Sequence, residues 1–179
     1  FDYGNSPREA HFAHGHRVIF TTTTGAGRML QAWGAPAVFM GSTVNAAAVV
    51  RVANSHQRDV VVIPAGLMGN PDFDAQEDCV AAVAIVMEAE ASLGEGADIF
   101  AHWRPGIEAE GLDALFQGAP HAHNLRQIGL PEDITYCAQL NITQAVPSAV
   151  ERTEHGVVLR LHADAVDAQD IRSFSVAPS

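Results

Sequence analysis

The chain has 179 residues, of which 47% are hydrophobic, and its formal net charge at pH 7 is -11. A chain this acidic is a poor partner for nucleic acid or for an anionic membrane surface, and its size favours one α/β domain over residues 1–179. All the basic residues are arginines, which excludes a P-loop with its invariant lysine and any Schiff-base mechanism.

The first predicted strand covers residues 18–22 and is followed by the sequence T-T-T-T-G-A-G-R at residues 21–28. A helix is predicted over residues 27–33. This arrangement would bring together threonine hydroxyls, two glycines, a helix N-terminus and one arginine. Such a combination is typical of a binding site for an anion. An ordinary strand-to-helix turn explains the same residues equally well, because threonine favours strands and Gly-x-Gly favours turns.

A second strand is predicted over residues 37–40, followed by a helix over residues 44–53 that is capped by Ser42 or Thr43. Asn45 falls in the first turn of that helix, where its amide could orient a substrate oxygen or make a local cap. Residues 60–63, V-V-V-I, predict a third strand that is buried on both faces.

The longest helix is predicted over residues 75–92, with Asp74 as N-cap and Gly94 as its end. Glu77 and Asp78 fall in its first turn, directly after the loop that leaves the third strand. Adjacent carboxylates there could supply oxygen ligands to Mg²⁺, with a substrate phosphate completing the coordination. Alternatively, the two acidic residues only complement the helix dipole.

The second half of the chain is less regular. Short helices are predicted over residues 112–116 and 123–128, and strands over residues 134–138 and 157–161. His121 and His123 follow Pro120, and a histidine in such a loop could act as a general acid, although helix capping or plain exposure explains them as well.

The alternation of strands and helices predicts a three-layer α/β/α sandwich around a mainly parallel or mixed sheet. Ligands of such sheets bind at the carboxyl ends of the strands, and the Thr-Gly loop, the turn before Asn45 and the loop before Glu77 all leave such ends. The sequence therefore predicts one site at this edge of the sheet.

Several motifs in this order resemble the 2-phosphosulfolactate phosphatase family over residues 1–147. They are F-D-Y-G-N-S-P at the start, V-I-F-T-T-T-T-G-A-G-R after the first strand, G-S-T-V-N-A-A-A-V at residues 41–49, V-V-V-I-P-A-G followed by the Glu77-Asp78 helix start, and F-Q-G-A-P-H-A-H-N-L-R-Q-I-G-L-P-E-D-I at residues 116–134.

The resemblance implies a Mg²⁺-dependent phosphatase with an α/β fold. Its implied substrate is a small anionic phosphomonoester, specifically a phosphorylated sulfo-carboxylate. By this resemblance, the polar residues of these segments fall on the family's recurrent motifs. We assign phosphate binding to the Thr-Gly loop and Arg28, and Mg²⁺ binding, directly or through water, to Glu77 and Asp78. The expected catalytic residues are Thr23, Thr24, Glu77 and Asp78, and the expected substrate-binding residues are Asn5, Ser6, Thr22, Gly25, Arg28 and Asn45.

The chain departs from the family in two places. The family's loop usually reads T-T-N-G-T-R, whereas here Thr24 replaces the asparagine and Ala26-Gly27 replaces one threonine. This change leaves open two alternatives on the same fold. One is a divergent amide, lactam or ester hydrolase with a threonine nucleophile, and the other is an anion-binding module without catalysis.

The second departure is at the start. Family members carry a further N-terminal part with an Asp-Arg-Ala-Thr-like motif, and this chain opens at Phe1. We therefore expect the chain to be the C-terminal portion of a larger protein or of a processed two-chain assembly, with a partner chain or N-terminal segment and further oligomerisation. The opening residues lack a signal-peptide pattern, so we expect a cytoplasmic protein.

Overall fold

The computed structural model describes residues 2–22, 24–66, 75–89 and 92–163. Within these ranges the chain forms six α-helices, two 3₁₀ helices and one hairpin. The helices are α1 (Gly25–Ala32), α2 (Ala46–Ser55), α3 (Gln76–Met87), α4 (Ala97–Gly118), α5 (Pro120–Gln127) and α6 (Pro131–Cys137). The strands are β1 (Pro147–Thr153) and β2 (Gly156–Leu161), and the 3₁₀ helices are Pro7–Ala13 and Thr43–Asn45.

Strands β1 and β2 pair antiparallel, with Pro147 opposite Leu161 and Thr153 opposite Gly156. The strand predicted over residues 157–161 is therefore confirmed as part of β2. Residues 38–40 are extended along the other edge of β1, because the Met40 N–H donates to the Pro147 carbonyl and the Ala149 N–H donates to the Val38 carbonyl, each at 2.9 Å. The second predicted strand thus contributes a short antiparallel contact.

The other two predicted strands, residues 18–22 and 60–63, have no strand partner among the described residues. Most of their side chains are open to solvent: Ile19 is 96% exposed and Val61 is 80% exposed. Val62 is the exception in the second segment, because it is partly buried against the cluster that contains Val49 and Ile85. The described part of the chain is a mixed, helix-rich structure with a small antiparallel sheet. The three-layer sandwich is not seen there, because these apolar segments lack the neighbouring strands that would bury them.

Three of the predicted helices agree with the structure, with shifts at their ends. Helix α1 begins at Gly25, and α2 begins at Ala46 after a 3₁₀ turn. Helix α3 ends at Met87, before the predicted end at residue 92. Asp74, the predicted N-cap of this helix, lies outside the described residues.

The strand predicted over residues 134–138 is wrong, since these residues belong mostly to α6. The β-branched pair Ile134-Thr135 favours a strand locally. Pro131 lies in the first turn of the observed helix, followed by Glu132 and Asp133. A first-turn proline and acidic residues at the positive end of the dipole both favour a helix start.

Helix α4 contains the predicted helix 112–116 and is much longer. Its backbone is broken at Gly111, where φ is +84° and ψ is 165°, so that two helical segments meet at a kink. Glycine adopts this φ without the strain that a Cβ would cause. The second segment leads into α5, which contains most of the predicted helix 123–128.

Two hydrophobic clusters meet on α3. Ile85, near the end of α3, packs with α2 residues such as Val49 and with Val146. Val80, one turn earlier, packs with residues of α4, α5 and α6, among them Phe116, Ala122 and Ile134. Burial of both faces of α3 fixes the direction in which its first turn points. In the described part of the chain, no helix combines the length and apolar character that a membrane span needs.

Candidate active site

The first turn of α3 contains the acidic pair, Glu77 and Asp78. Asp78 is hydrogen-bonded to the turn at residues 65–66. Asp78 Oδ2 accepts a hydrogen bond from the Gly66 N–H at 2.9 Å. Gly66 has a φ of +58°, in the left-handed region that favours glycine. The turn at residues 65–66 is thus held against the start of α3.

Arg28 of α1 reaches the same turn. Its Nε donates to the Ala65 carbonyl at 3.0 Å, and its Nη1 donates to Gln31 Oε1 at 3.1 Å. A Cβ added to Gly66 would lie 3.9 Å from Arg28 Nη2. The arginine and Asp78 therefore contact one short turn from two different helices, which brings the predicted phosphate-binding and metal-binding residues into one neighbourhood.

Glu77 makes a close contact with His121 at the start of α5, between Oε1 and Nδ1. Its second carboxylate oxygen, Oε2, is buried and has no hydrogen-bond partner among the described groups. A buried carboxylate oxygen without a donor is unfavourable, because desolvation of the charge is not compensated. This oxygen is available to a cation or to a donor on a ligand.

Electrostatics at Asp78 agree with this description. Burial raises the pKa of Asp78 above its ordinary value of 3.8, and the hydrogen bond from Gly66 opposes that shift. The charge of Glu77 raises the pKa of Asp78 further, while His121 lowers it. A cation bound at this pair would stabilise the ionised form of Asp78.

The Thr-Gly loop wraps around the N-terminus of α1. Thr22 Oγ1 accepts a hydrogen bond from the Ala26 N–H at 2.9 Å, and the Arg28 N–H donates to the Thr24 carbonyl at 3.0 Å. A Cβ at Gly25 would lie 3.3 Å from Thr22 Oγ1, so glycine suits this close approach. Thr23 lies outside the described residues.

Ser6 joins the site from the N-terminal 3₁₀ helix. Its hydroxyl donates to Asp133 Oδ1 of α6 at 2.8 Å. Asp133 is 3% exposed, so the hydroxyl partly compensates a buried carboxylate. Asn5, the residue before it, is exposed.

Asn45 is placed differently from the other predicted site residues. Its Nδ2 donates to the Met40 carbonyl at 3.1 Å and to the Ala145 carbonyl at 2.8 Å, and its Oδ1 accepts from the Ser42 N–H at 2.8 Å. Both amide hydrogens are thus used inside the fold. The bonds to Ser42 and Met40 are local turn contacts, and a role of this amide toward a substrate stays a prediction.

A cavity of about 280 Å³ lies between the start of α3, the end of α4, and helices α5 and α6. Glu77 and His121 line it, and so does Asp133. Most of the remaining lining is apolar and comes from Phe116, Ala119, Ala122, Leu125 and Ile134. The Glu77–His121 contact therefore forms part of the wall of a preformed pocket.

Sequence reasoning missed two members of this pocket and gave a third only an open role. Cys137 was placed on a predicted strand, Asp133 was given no role, and His121 had no predicted partner. The Pro-Glu-Asp start of α6 was the available signal for Asp133. Nothing local pairs His121 with Glu77, since the two residues are separated by 44 positions and meet only through the packing of α3 against α4 and α5.

The residues present fit a Mg²⁺ ion held by few protein ligands. In the described ranges, His, Cys, Asp and Glu side chains do not form any group of three or more that could hold a metal ion. Mg²⁺ commonly keeps several waters and takes one or two carboxylates plus substrate phosphate. The unpartnered Glu77 Oε2 and the neighbouring Asp78 could serve as these one or two carboxylate ligands. These two residues alone do not complete the coordination of a metal ion.

Comparison with known proteins agrees with the motif order. The chain matches the family model for 2-phosphosulpholactate phosphatase over residues 1–152. It is 32% identical over 151 residues to a probable 2-phosphosulfolactate phosphatase of Pseudothermotoga lettingae, covering 84% of this chain and 65% of that protein.

Relatives with the same name occur in Gloeobacter violaceus, at 32% identity over 163 residues, and in Carboxydothermus hydrogenoformans, at 32% over 151 residues. The matches cover 89% and 82% of this chain, and 66% and 61% of the respective relatives. The chain thus spans slightly less than two thirds of the length of these relatives. Since the family model matches residues 1–152 of the 179, the chain belongs to the 2-phosphosulpholactate phosphatase family.

Proposed function

We propose that this chain carries the active site of a Mg²⁺-dependent phosphatase that hydrolyses a small phosphomonoester. The observation that carries the proposal is the shared turn at residues 65–66, where Arg28 of α1 and Asp78 of α3 are both bonded. An arginine and an acidic pair on one turn provide the two opposite charges that a phosphate–Mg²⁺ complex needs.

In this proposal Arg28 and the N-terminal amides of α1 bind the phosphate oxygens, and Glu77 and Asp78 hold Mg²⁺. Bound Mg²⁺ supplies charge neutralisation on the phosphoryl oxygens. The protein residues position the ester so that water attacks phosphorus, the P–O ester bond breaks, and the alcohol leaves with a proton. Positioning and charge stabilisation account for most of the catalysis in phosphoryl transfer.

The names of the relatives support this activity and its hydrolytic chemistry. Because the chain is strongly acidic overall, an anionic substrate requires local positive potential at the site. Arg28 and the α1 N-terminus supply part of that potential, and a cation at the acidic pair would supply the rest.

The test is release of inorganic phosphate from a panel of phosphomonoesters with Mg²⁺, with EDTA, and with EDTA followed by excess Mg²⁺. We expect phosphate release that EDTA abolishes and Mg²⁺ restores. Full activity in EDTA would contradict the metal requirement. Cleavage of amides or esters without phosphate release would favour the threonine-hydrolase alternative instead.

We further propose that another polypeptide segment, corresponding to the part of the relatives that this chain does not match, covers residues 18–22 and 60–63. Two apolar extended segments with unpaired edges are unfavourable in water and tend to pair with additional strands. Each segment lies next to a loop of the site. The added segment would therefore complete the sheet directly beside Arg28 and the 65–66 turn.

A further inference from the structure

The start of α3 is held by three consecutive side chains that bond to three other parts of the fold. Gln76 Nε2 donates at 2.8 Å to a main-chain carbonyl near the end of α4, and Asp78 Oδ2 accepts at 2.9 Å from the turn at residues 65–66. Glu77, between them, contacts His121 on α5. Successive side chains leave a helix about 100° apart, so the three bonds point in different directions. The backbone of this first turn is therefore fixed, and only the side-chain torsions of Glu77 decide where its carboxylate points.

His121 fixes one oxygen of that carboxylate. It is the second residue of α5, after Pro120, and its Nδ1 contacts Glu77 Oε1. An ionised carboxylate only accepts hydrogen bonds, so Nδ1 is the donor, and it carries a hydrogen both in the neutral Nδ1–H tautomer and in the imidazolium ion. Nδ1 is also the ring nitrogen nearer the backbone, and Ala122, the next residue of α5, is buried. The donor is therefore held in place by a packed helix.

A purely structural ion pair explains this contact poorly. The side chains of His121 and Glu77 are 41% and 21% exposed, and ion pairs that are open to water contribute little to stability. The contact also leaves the second oxygen, Oε2, buried and without a hydrogen-bond partner among the groups that the structure describes, which is unfavourable. A carboxylate that only joined α3 to α5 could turn this oxygen to water. Its observed orientation instead suits a ligand that binds Oε2 beside Asp78.

We propose that His121 is a positioning residue: by holding Oε1 of Glu77, its Nδ1–H presents Oε2 to the Mg²⁺ ion assigned to Glu77 and Asp78. The inference rests on the proposed metal-dependent function and adds a residue that acts through Glu77 rather than on the substrate. Without His121, the Glu77 side chain must be ordered when the ion binds, which costs rotamer entropy. Replacing a residue that orients a metal ligand typically lowers metal affinity by about 10–100-fold.

Binding of Mn²⁺ tests the proposal without turnover, because Mn²⁺ and Mg²⁺ take the same oxygen ligands and free Mn²⁺ is measured by its EPR signal. His121→Ala should raise the Kd for Mn²⁺ by about tenfold or more. His121→Asn should rescue binding to within about threefold of the parent protein, since its amide nitrogen takes the place of Nδ1. His121→Gln, whose amide nitrogen takes the place of Nε2, should behave like His121→Ala.

The matched control is His123→Ala, because His123 is exposed on the same helix and contacts Gln127. It should leave the Kd for Mn²⁺ within about twofold of the parent value, since it orients no proposed metal ligand. Equal Mn²⁺ affinity in the parent protein, His121→Ala and His121→Gln would overturn the role of His121 and leave the proposed metal site in place. Failure of the parent protein to bind Mn²⁺ would overturn the metal site itself, and this inference with it.

Phosphate release separates positioning from proton transfer. In His121→Ala the Mg²⁺ concentration that gives half the maximal rate should rise, and His121→Asn should recover most of the lost activity. A kcat that falls about 100-fold in His121→Asn, the effect of losing a general acid, would overturn the positioning role if Mn²⁺ still binds normally.

A measurement on the parent protein needs no variant to fold. In the ¹⁵N NMR spectrum of the His121 ring, Nδ1 should carry a hydrogen both with and without Mg²⁺. An Nδ1 without a hydrogen in the neutral ring would overturn the proposed bond to Glu77.

Discussion

Asn45 is a predicted site residue whose side chain makes hydrogen bonds inside the fold. Its amide links the turn at residues 40–42 to residue 145, and the side chain is 5% exposed. Burial of an amide without partners is unfavourable, so this arrangement requires all three contacts. The sequence indicated that Asn45 is important, whereas its role depends on contacts 100 residues away.

Replacing Asn45 by alanine should lower the free energy of unfolding by about 2–3 kcal/mol, from about 1 kcal/mol per lost hydrogen bond. Urea denaturation of both proteins measures this. Asn54→Ala is the control, since Asn54 is exposed near the end of α2, the helix that follows Asn45. It should change stability by less than about 0.5 kcal/mol. Equal effects of the two substitutions would contradict the described role of Asn45.

Arg28 is the residue whose role follows most directly from its geometry. Arg28→Lys removes the forked donor that reaches both Ala65 and Gln31. We expect KM for a phosphomonoester to rise about tenfold, the effect of losing roughly one hydrogen bond to a charged group. Arg51→Lys serves as the control, because Arg51 is exposed and contacts Gln144. An unchanged KM in Arg28→Lys would remove Arg28 from the site.

Cys137 gives a pH-dependent prediction. Burial raises the pKa of its thiol above the ordinary value of 9.0, and the charge of Asp133 raises it further. The thiolate should therefore form at higher pH in the folded chain than in the unfolded chain. Iodoacetamide labelling of the Cys137 peptide, followed by mass spectrometry, should reach half its maximal rate at higher pH in buffer than in urea.

The sign for stability follows from the same shift. Because the folded chain holds this proton more tightly, the stabilisation is present below pH 9.0 and is lost as pH rises through the folded pKa. The free energy of unfolding should decrease above pH 9.0. Identical labelling profiles in buffer and urea would contradict the described burial of Cys137.

At the scale of elements, helices were predicted better than strands. Helix α2 and the start of α3 follow from local signals such as caps and small apolar residues. Helix α6 was missed because β-branched residues obscured a helix start at Pro131. Strand sequences at residues 18–22 and 60–63 were recognised as apolar and extended, yet pairing is decided by neighbours that lie elsewhere in the chain or outside it.

The turn at residues 65–66 joins α1 to α3, and its glycine can be tested directly. Gly66→Ala places a Cβ on a residue with a φ of +58°. We expect a loss of about 1–2 kcal/mol in the free energy of unfolding, the strain of a left-handed residue. Gly94→Ala is the control, because a Cβ there would meet no atom within 4 Å and its φ is not positive.

Thermal denaturation of both variants separates backbone strain from a general effect of alanine. If Gly66→Ala is as stable as the parent protein, the turn does not have the described conformation. If Gly94→Ala is equally destabilised, the loss does not arise from the turn.

For the whole molecule, the largest difference from the predicted fold lies in its exposed apolar segments. Ile19 and Val61 are among the most exposed large hydrophobic residues described. Covering both segments would remove unpaired strand edges and apolar surface from water together. If the proposed additional segment is present, the backbone amides of residues 18–22 and 60–63 should be protected from hydrogen exchange. This protection should be confined to these two segments.

Hydrogen exchange should show slow exchange at these two segments in the protein isolated from its source, and fast exchange in the chain of residues 1–179 alone. Ile128, which is 68% exposed on another part of the surface, should exchange at the same rate in both. Fast exchange at residues 60–63 in both preparations would contradict the proposed covering segment.

The central claim is that Arg28 and the Glu77-Asp78 pair form one Mg²⁺-dependent phosphate site. Titration calorimetry of inorganic phosphate, with and without Mg²⁺, tests it most directly in the parent chain, in Glu77→Gln, and in Glu108→Gln, a control at an exposed ion pair on α4. We expect phosphate binding that requires Mg²⁺, is lost in Glu77→Gln and is retained in Glu108→Gln. Phosphate binding that is equal without Mg²⁺, or unaffected by Glu77→Gln, would contradict it.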